Sequence, residues 1–483
     1  GPGATNLVTG IATAYLDSVP LVVITGNVAS NVIGQDNFQE VDIFGLTFGI
    51  VKHSYRVAKV EELADSIREA YALAGSGRPG PVLLDIPKDV QQKTCEFTPR
   101  PAVEMFSTIS EYTEEAVAQA ILMMEEAKRP CIYCGGGVVT AAAGDEIVEL
   151  SRRLDAPICF SLMGLDAVPA SYAKNLGMAG MHGRYAATKA ISECDLLIVV
   201  GARFSDRAVG NKQTYAEKAK IIHIDIDPAE IDKNVSVDLA LVGDAKEVLG
   251  QILKQVTEKS HSDWQLMVES MRIYERFNET KYQGTLTPFE IIDRVSQKMP
   301  KDTPIVTDVG QHQMWVAQRY AFEKSRTFLS SGGLGTMGFG MGAANGACIG
   351  TGKKTVLFTG DGSFGMNMSE LGTAVTEGLP VIVILMNNGV LGMVRQLQQF
   401  FSHAHYSQTT TRRKTDFVAF AKAMGADGYR VETPETFEKA LETAMAADGP
   451  VLIECVIDKE ELVYPMVPPN KSVNEIMLQG GRE

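Results

Sequence analysis

Two apolar runs in the last third of the chain each end in polar residues that suit a metal site. Residues 356–359 form an apolar, β-branched run that stops at 360–362, Gly-Asp-Gly, the pattern of a buried parallel strand entering a tight turn. A second such run, 381–386, stops at Asn387 and Asn388. Ligands collect at the carboxyl ends of parallel strands. We therefore expect Asp361 and one of the amides to offer two oxygen ligands to a hard cation in one crevice.

The segment between the two runs is expected to be a helix. Its apolar residues recur at positions 368, 371, 374 and 375, and Asn367 or Ser369 is placed to cap it. An Asp-Gly or Asn-Gly pair alone more often marks an ordinary turn than a binding site. Here both occur, with the 24 residues 363–386 between them, and this combination favours a site.

Composition indicates a large enzyme with several domains. At ~150 residues per domain, 483 residues suggest about three. The net charge of −14 argues against nucleic acid or an anionic membrane as the main partner, and no segment reaches the ~18 apolar residues of a membrane span. Seven scattered cysteines are typical of a reducing compartment, so we expect a cytoplasmic protein. Cys131 and Cys134 form a C-x-x-C without a second pair, and we expect no zinc or redox role for them.

Alternating apolar runs and helical patterns predict an α/β fold with parallel sheets. The first block has strands at 20–25 and 81–85, a polar loop at 34–40 and a helix near 60–75. A helix-like stretch precedes them and reaches Tyr15. The three expected domains are residues 1–100, 113–260 and 286–483.

Two segments are predicted to connect these domains. Residues 90–112, with Pro99 and Pro101, predict a linker, after which Thr113 caps the first helix of the second block. Residues 255–285 are rich in Lys, Glu and Ser and predict a connection to the third block. The strands expected in the second block are 130–134, 156–160, 195–200 and 220–225.

Glycine-rich segments follow several of these strands and leave more than one interpretation open. The second block has no G-x-G-x-x-G fingerprint, and the glycine triplet at 135–137 alone leaves nucleotide binding open. Residues 331–342 are dense in glycine, which suits either close approach to a ligand or close helix packing. His312 lies just past the end of a predicted strand. Two roles stay open for it: a structural histidine, or a residue that contacts a bound ligand.

The spacing of the two-strand motif resembles the signature of thiamine diphosphate enzymes. Runs in all three blocks also resemble the catalytic subunit of acetohydroxyacid synthase, also called acetolactate synthase, the entry enzyme of branched-chain amino acid synthesis. The matching runs are residues 1–26, 38–40, 85–89, 180–183, 201–207, 223–228, 332–340, 360–362 and 464–469.

The resemblance implies three doubly wound parallel-sheet domains that bind, in chain order, the pyrimidine of thiamine diphosphate, FAD, and the diphosphate with Mg²⁺. It implies pyruvate as donor and pyruvate or 2-oxobutyrate as acceptor of a hydroxyethyl unit. Two subunits would share each active site, in a homodimer or a dimer of dimers, together with a regulatory small subunit. FAD does no net redox work in this scheme.

Positions in the third domain match the cofactor residues of the family. The implied Mg²⁺ ligands are the side chains of Asp361 and Asn388 and the carbonyl oxygen of Val390. Met337 would be the apolar wedge that bends thiamine diphosphate. The positions matched to this cofactor are Val309, Gly310, Gln311, His312, Gly335, Met337, Gly362, Ser363 and Met366.

The resemblance also assigns FAD and substrate residues. The catalytic assignments are Gln39, Lys88, Arg207 and Met337, and Arg207 has the planar fork that suits an acceptor carboxylate. The substrate channel would be lined by Ala29, Phe38 and Leu397. The positions matched to FAD are Gly135, Gly136, Gly137, Ser161, Leu162, Met163, Gly180, Met181, His182, Gly201, Ala202, Arg203, Arg207, Asp225, Ile226, Asp244 and Ala245.

Several positions depart from the family pattern. Ser205 stands where aspartate is common, Leu397 where tryptophan is common, and Ala29 where proline is common. The family's upstream glutamate, which promotes proton transfer on the cofactor, has no match here, and the chain opens inside a Gly-Pro-Gly turn at Gly1. We therefore expect an N-terminally truncated first domain and little activity from this chain alone, unless Glu40 replaces the missing group.

Two other functions stay open at this stage. A related thiamine enzyme such as pyruvate oxidase would use its flavin for electron transfer. A non-catalytic paralogue would have lost cofactor binding, although the presence of both Asp361 and Asn388 argues against it.

Overall fold

The computed structural model describes residues 1–103 and 110–479. The chain divides into two compact units, residues 1–110 with 331–336, and residues 111–330 with 337–483. The described part of the chain contains no helix long and apolar enough to cross a membrane.

The first unit contains a three-stranded parallel sheet in the order β1-β3-β2. The middle strand, β3, is buried along its whole length, as expected for a continuous apolar run. In chain order the elements are α1 Pro2–Thr5, α2 Val8–Leu16, β1 Leu21–Asn27, α3 Ile43–Thr47, β2 His53–Arg56, α4 Val60–Gly75, β3 Pro81–Pro87 and α5 Lys88–Gln92.

Part of the glycine-rich segment, residues 331–336, packs within this first unit. The backbone N–H of Gly333 donates to the Asp17 carboxylate at 2.7 Å, and the hydroxyls of Thr336 and Thr13 lie 2.8 Å apart. A Cβ on Gly333 would lie 2.7 Å from the Cβ of Leu16. Close packing against helix α2 therefore explains glycine at this position.

The second unit contains two six-stranded sheets, and we call the first of them the central sheet. Its strand order is β6-β5-β4-β7-β8-β9, all parallel. Its elements are α6 Glu114–Glu126, β4 Pro130–Cys134, α7 Gly136–Thr140, α8 Gly144–Leu154, β5 Ile158–Phe160, β6 Asn175–Met178, α9 Tyr185–Glu193, β7 Leu196–Val200, α10 Asp206–Val209, β8 Lys220–Asp225, β9 Leu239–Val242, α11 Ala245–Leu253 and α12 Ser262–Phe277.

We call the other sheet the C-terminal sheet. Its order is β11-β10-β12-β13-β15-β14, again all parallel. Its elements are α13 Pro288–Lys298, β10 Ile305–Thr307, α14 Gln311–Arg319, β11 Phe328–Leu329, α15 Phe339–Thr351, β12 Thr355–Gly360, α16 Asp361–Asn367, α17 Leu371–Thr376, β13 Val381–Asn387, α18 Gly392–Phe401, α19 Phe417–Met424, β14 Asp427–Val431, α20 Pro434–Ala446 and β15 Val451–Val456.

Local sequence signals explain where several helices begin. The Thr113 side chain accepts a hydrogen bond from Ala116 N, as its predicted cap requires. Thr287 and Thr433 each form a capping box and are each followed by proline at the first helical position. The predicted α/β class with parallel sheets is confirmed.

Several local predictions are wrong. Helix α16 begins at Asp361, so strand β12 runs into a helix and not into a tight turn. Asn367 does not cap the next helix, because its Nδ2 donates to Gly338 O at 2.8 Å, and Ser369 lies inside a 3₁₀ turn. The stretch at the start of the chain is helical as predicted, but it is divided into two helices, α1 and α2.

The two predicted connections also differ from expectation. The segment 255–285 contains the 16-residue helix α12, whose buried face includes Trp264, Val268 and Met271. Helix α5 extends to Gln92, inside the predicted linker 90–112. Residues 104–109 of that linker, and residues 480–483 of the predicted third domain, lie outside the described residues.

Trp264 anchors helix α12, and its replacement by phenylalanine should destabilise the second unit. The indole Nε1 donates to Pro130 O at 3.0 Å, and the ring is fully buried. Trp264→Phe leaves that carbonyl without its donor, at a cost of about 1–3 kcal/mol. Thermal unfolding should show a lower midpoint. The exposed Leu266→Ala on the same helix should change stability by less than about 0.5 kcal/mol, and equal midpoints for the two variants would contradict the anchoring role.

Candidate functional site

Three neighbouring strands of the C-terminal sheet end at one edge. In the order β10-β12-β13, Thr307 lies opposite Phe358, and Gly360 lies opposite Met386. Because all three strands are parallel, the residues that follow them leave the sheet on the same side. Asp361 and Asn388 are among those residues, so the two predicted metal ligands lie at adjacent strand ends.

Asp361 is a buried carboxylate at this edge. Its residue surface is 3% exposed, and burial raises the pKa of the side chain to about 6. The Thr411 hydroxyl donates weakly to Oδ2 at 3.5 Å, while Arg413 Nη1 donates to the backbone oxygen of Asp361 at 2.6 Å. A cation beside the carboxylate would favour its ionised form.

The side-chain amide of Asn388 is held in one orientation. Its Nδ2 donates to Gln311 Oε1 at 3.3 Å, and its Oδ1 accepts from Val390 N at 3.1 Å. Val390 forms an isolated antiparallel bridge with Thr410, and Leu391 N donates to Thr409 O at 2.7 Å. The loop after β13 is therefore braced by residues 409–411.

No group of three or more His, Cys, Asp or Glu side chains within 1–103 and 110–479 is arranged to hold a metal. A cation at this edge would instead have one carboxylate and neutral oxygens, which is the predicted set of Asp361, Asn388 and Val390. Mg²⁺ accepts such sets, since it binds few protein oxygens and keeps other positions for water and phosphate.

The loop after β10 holds several of the positions matched to thiamine diphosphate. His312 is buried, its Nε2 has no hydrogen-bond partner among the described residues, and burial lowers its pKa to about 3. Its ring is therefore neutral. A Cβ on Gly310 would lie 2.9 Å from His312 Cε1, and one on Gly360 would lie 3.1 Å from Nδ1. The two glycines make room for the imidazole.

Helix α16 is tied to the same loop. Ser363 Oγ donates to Val309 O at 2.7 Å. A Cβ on Gly362 would lie 2.7 Å from Leu391 Cδ2 and 3.6 Å from Met337 Cε, so Met337 lies beside this glycine. Met366 is largely exposed. Gly335 belongs to the first unit and has a φ of +69°.

In the central sheet, the flavin-matched glycines bring two loops into backbone contact. A Cβ on Gly135 would lie 2.0 Å from Gly201 O, and one on Gly137 would lie 2.6 Å from Gly201 Cα. These loops follow β4 and β7, which are neighbours where the strand order reverses. Crevices at such a reversal are the usual place for dinucleotides in open α/β sheets.

A second group of flavin-matched residues lies around His182. Gly180 has a φ of +112°, and a Cβ there would lie 2.7 Å from Arg207 O. His182 is buried with Nδ1 unpartnered within the described chain, and burial, with Arg207 nearby, lowers its pKa to about 4. Met181 N donates to Arg207 O at 2.8 Å, and Arg207 Nη1 lies 3.5 Å from Met181 Sδ.

Two flavin-matched aspartates already serve the backbone. Asp225 accepts from Asp227 N at 3.0 Å, and Asp244 caps helix α11 by accepting from Lys246 N and Glu247 N. Ser205 precedes helix α10 without a side-chain capping bond. The remaining flavin-matched positions follow strands or begin helices. Ser161, Leu162 and Met163 follow β5, Ala202 and Arg203 follow β7, and Ile226 follows β8. Gly136 and Ala245 begin helices α7 and α11.

In the first unit, the loop that carries Ala29 is tied to helix α5, which begins at Lys88. Ser30 donates from its backbone N and its hydroxyl to Asp89 Oδ1, at 2.8 and 2.9 Å. These bonds hold the pKa of Asp89 below its usual value. The ends of strands β1 and β3 therefore carry these two positions side by side.

The polar loop 34–40 has its own brace. The Glu40 carboxylate accepts from Asn37 N at 2.9 Å and Gly34 N at 2.5 Å, and these bonds hold its pKa below the usual value. Its ionised form is therefore engaged in shaping the loop, which argues against Glu40 as a substitute proton relay. Next to it, Gln39 has a φ of +61° and Phe38 is 88% exposed.

Sequence reasoning missed three side chains near the carboxyl ends of the strands of the C-terminal sheet. Asp308 is buried and accepts from Val309 N and Gly338 N, both at 2.9 Å. Gln396 and Arg413 contact the residues around Asn388 and Asp361. Only Asp308 could have been found from the sequence pattern, because it directly follows a strand. Gln396 and Arg413 do not directly follow a strand.

Comparison with known proteins agrees with this arrangement. Three family models match, all described as parts of a thiamine pyrophosphate enzyme: the N-terminal TPP binding domain at residues 1–46, the central domain at 117–252, and the C-terminal TPP binding domain at 308–455. The matched segments cover the strands of the central sheet and most of the C-terminal sheet, whose strand β10 precedes the match.

Curated relatives match nearly the whole chain. The acetolactate synthase isozyme 2 large subunit of Escherichia coli is 43% identical over 481 residues, 99% of this chain and 86% of that protein. The isozyme 1 large subunit of the same species is 42% identical over 478 residues, 99% and 85% of the two chains. The acetolactate synthase large subunit of Corynebacterium glutamicum is 41% identical over 495 residues, 100% and 79%. The chain therefore belongs to the acetolactate synthases, thiamine pyrophosphate-dependent transferases of branched-chain amino acid biosynthesis.

Proposed function

We propose that the protein decarboxylates pyruvate and transfers the hydroxyethyl unit to pyruvate or 2-oxobutyrate, using thiamine diphosphate, Mg²⁺ and FAD. The observation that carries this proposal is that Asp361 and Asn388 follow the ends of two paired parallel strands. The Asp361 carboxylate is buried, and the Asn388 amide oxygen is held in one orientation. When bound, thiamine diphosphate supplies the electron sink for decarboxylation.

The residues at the carboxyl ends of the strands of the C-terminal sheet fit Mg²⁺ and a diphosphate. Asp361, Asn388 Oδ1 and the Val390 carbonyl offer hard oxygen donors. Gly362 is buried at the start of α16, where a Cβ would meet Leu391. The neutral His312 ring has an Nε2 without a partner among the described residues. Met337, beside Gly362, would press on the cofactor as the apolar wedge. Val309, Gly310, Gln311, Ser363, Gly335 and Met366 complete the proposed set.

The central sheet fits FAD. Where its strand order reverses, between β4 and β7, glycines allow the two backbones to touch. The buried His182 has an Nδ1 with no partner within 1–103 and 110–479. Arg207 would clamp the acceptor carboxylate through its two-pronged guanidinium. In the first unit, Gln39 and Lys88 would act on substrate, and Ala29 and Phe38 would be substrate-channel residues. In the second unit, Leu397 is the position matched to the channel.

The proposal includes domains and partners. Residues 1–100, 113–260 and 286–483 would bind pyrimidine, FAD and diphosphate respectively. Because the relatives are named large subunits, a smaller regulatory subunit would join this chain, in a homodimer or a dimer of dimers.

Product analysis tests the proposed reaction. With pyruvate, Mg²⁺, thiamine diphosphate and FAD under air, the product should be 2-acetolactate, and added 2-oxobutyrate should yield 2-aceto-2-hydroxybutyrate. The product ratio does not depend on the absolute rate. Acetate or acetyl phosphate with peroxide would identify a pyruvate oxidase and overturn the proposal.

The metal assignment predicts the effect of Asp361→Ala. The variant loses the only charged oxygen of the set, so Mg²⁺-dependent thiamine diphosphate affinity should fall by more than the ~10–100-fold that loss of an outer partner costs. Calorimetric titration at fixed Mg²⁺ measures it, and circular dichroism checks the fold. The exposed Asp427→Ala, at the edge strand β14, is the matched control. Unchanged affinity in Asp361→Ala would refute the assignment.

The flavin assignment predicts the effect of Gly180→Ala. A side chain there adopts an unfavourable backbone conformation, at about 1–3 kcal/mol, and meets Arg207 O. We expect at least about tenfold weaker FAD binding, read from flavin absorbance of the purified protein and from titration. Gly250→Ala, on helix α11 with open space around it, should bind FAD normally. If both variants retain flavin equally, the His182 region is not part of the FAD site.

The channel assignment predicts the effect of Leu397→Trp. Leu397 is half-buried on helix α18, and the wild type should show weak sulfonylurea inhibition and little preference for 2-oxobutyrate. A large aromatic face adds contact worth about 1–3 kcal/mol. The variant should therefore be inhibited more strongly by sulfonylureas and should prefer 2-oxobutyrate more strongly over pyruvate. Competition between the two acceptors and inhibitor titration measure this. Val394→Trp, at an exposed position of the same helix, should change neither; a gain there as well would remove the assignment.

A further inference from the structure

A chain of buried side-chain amides lies behind Asn388. Asn388 Nδ2 donates to Gln311 Oε1 at 3.3 Å, and Gln311 Nε2 donates in turn to Gln396 Oε1 at 3.1 Å. Gln396 is fully buried and Gln311 is 4% exposed. Buried amides keep such bonds because an unpaired polar group costs free energy.

The backbone of Val463 fixes the direction of the whole chain. Val463 N donates to Gln396 Oε1, and Gln396 Nε2 donates to Val463 O, both at 2.9 Å. One donor and one acceptor on the same residue allow only one orientation of the Gln396 amide. Its oxygen then faces Gln311, whose Nε2 also donates to Glu461 O at 3.0 Å.

This order leaves the Gln311 oxygen facing Asn388, so Asn388 presents its NH₂ group to Gln311. Its Oδ1 faces the other way, accepts from Val390 N and keeps a second lone pair. A reversed Asn388 amide would turn NH₂ towards a cation and could not bind it. The orientation of three amides therefore decides whether the metal ligand is available.

The contact between Gln311 and Asn388 depends on the absence of a side chain at Gly392. A Cβ there would lie 1.9 Å from Gln311 Oε1 and 3.0 Å from Asn388 Nδ2. Gly392 is the first residue of helix α18, which also carries Gln396. One helix therefore supplies both the amide that orients Gln311 and the space in which Gln311 meets Asn388.

We infer that Gln396 is a positioning residue for the cation site: acting through Gln311, it holds the oxygen of Asn388 towards the metal and links the metal to residues 461–463. The inference rests on the proposed Mg²⁺ function of Asp361, Asn388 and Val390. Gln396 itself touches neither metal nor cofactor.

Two variants test this role, and a third controls for stability. Gln396→Met keeps the side-chain length and removes the amide, and Gly392→Ala separates Gln311 from Asn388. Gln313→Met removes a similarly buried amide on the same helix as Gln311, one that donates to Ser330 Oγ at 2.7 Å and not towards Asn388. The thermal unfolding midpoint is measured for all three.

The readout is the Mg²⁺ concentration that half-saturates thiamine diphosphate binding, followed by calorimetry or tryptophan fluorescence without turnover. Loss of an outer partner of a metal ligand typically costs ~10–100-fold in metal affinity. We expect the half-saturating Mg²⁺ concentration to rise by that factor in Gln396→Met and Gly392→Ala. In Gln313→Met it should change by less than about threefold, even if its thermal unfolding midpoint falls as far as that of the other two variants.

The outcomes separate this inference from the proposed function. A Mg²⁺-dependent wild type with an unchanged Gln396→Met would overturn the positioning role alone, and so would a Gln313→Met shift as large as that of Gln396→Met. Wild-type binding of thiamine diphosphate without any Mg²⁺ dependence would overturn the metal site and the inference together.

Discussion

The parallel pairing of β12 with β13 is the constraint on which the proposed chemistry depends. The ladder fixes Gly360 opposite Met386, so the residues that follow leave the same edge of the sheet together. Asp361 is then buried as it enters helix α16, and burial raises its pKa. A carboxylate in such a position is stabilised by a cation, and the neighbouring loop supplies further oxygens.

The same principle organises the central sheet with different residues. Its strand order reverses between β4 and β7, and the loops after these strands meet through glycine backbone. In the C-terminal sheet the loops meet through side chains instead: Ser363 bonds Val309 O, and Gln311 bonds Asn388. Backbone contact suits a long, flat dinucleotide, whereas fixed oxygens suit a metal with its diphosphate.

Sequence patterns predicted the parts of this fold that are local. Continuous apolar runs identified the buried strands β3, β4, β12 and β13, and Thr113 marked a helix start. Helix α12 was missed because many of its residues are polar. Its buried face, which includes Trp264, consists of only a few residues. The strands β6, β9 and β11 have two to four residues, too few to show a period. Asn367 looked like a cap, but its partner, Gly338, is distant in sequence.

The candidate site also contains residues that the sequence pattern predicts and residues that it does not. Asp361 and Asn388 directly follow strands, so their positions could be predicted from the chain order. Gln396 and Arg413 reach the edge only through tertiary folding, and no local pattern distinguishes them from other polar residues of a helix or loop.

A crystal structure of the protein with thiamine diphosphate and Mn²⁺ in place of Mg²⁺ tests the central claim most directly, because anomalous scattering locates the metal independently of the protein atoms. The account predicts a single peak about 2.0–2.3 Å from an Asp361 carboxylate oxygen, Asn388 Oδ1 and the Val390 carbonyl oxygen. A peak elsewhere, or a bound cofactor whose metal does not touch Asp361 and Asn388, would contradict it.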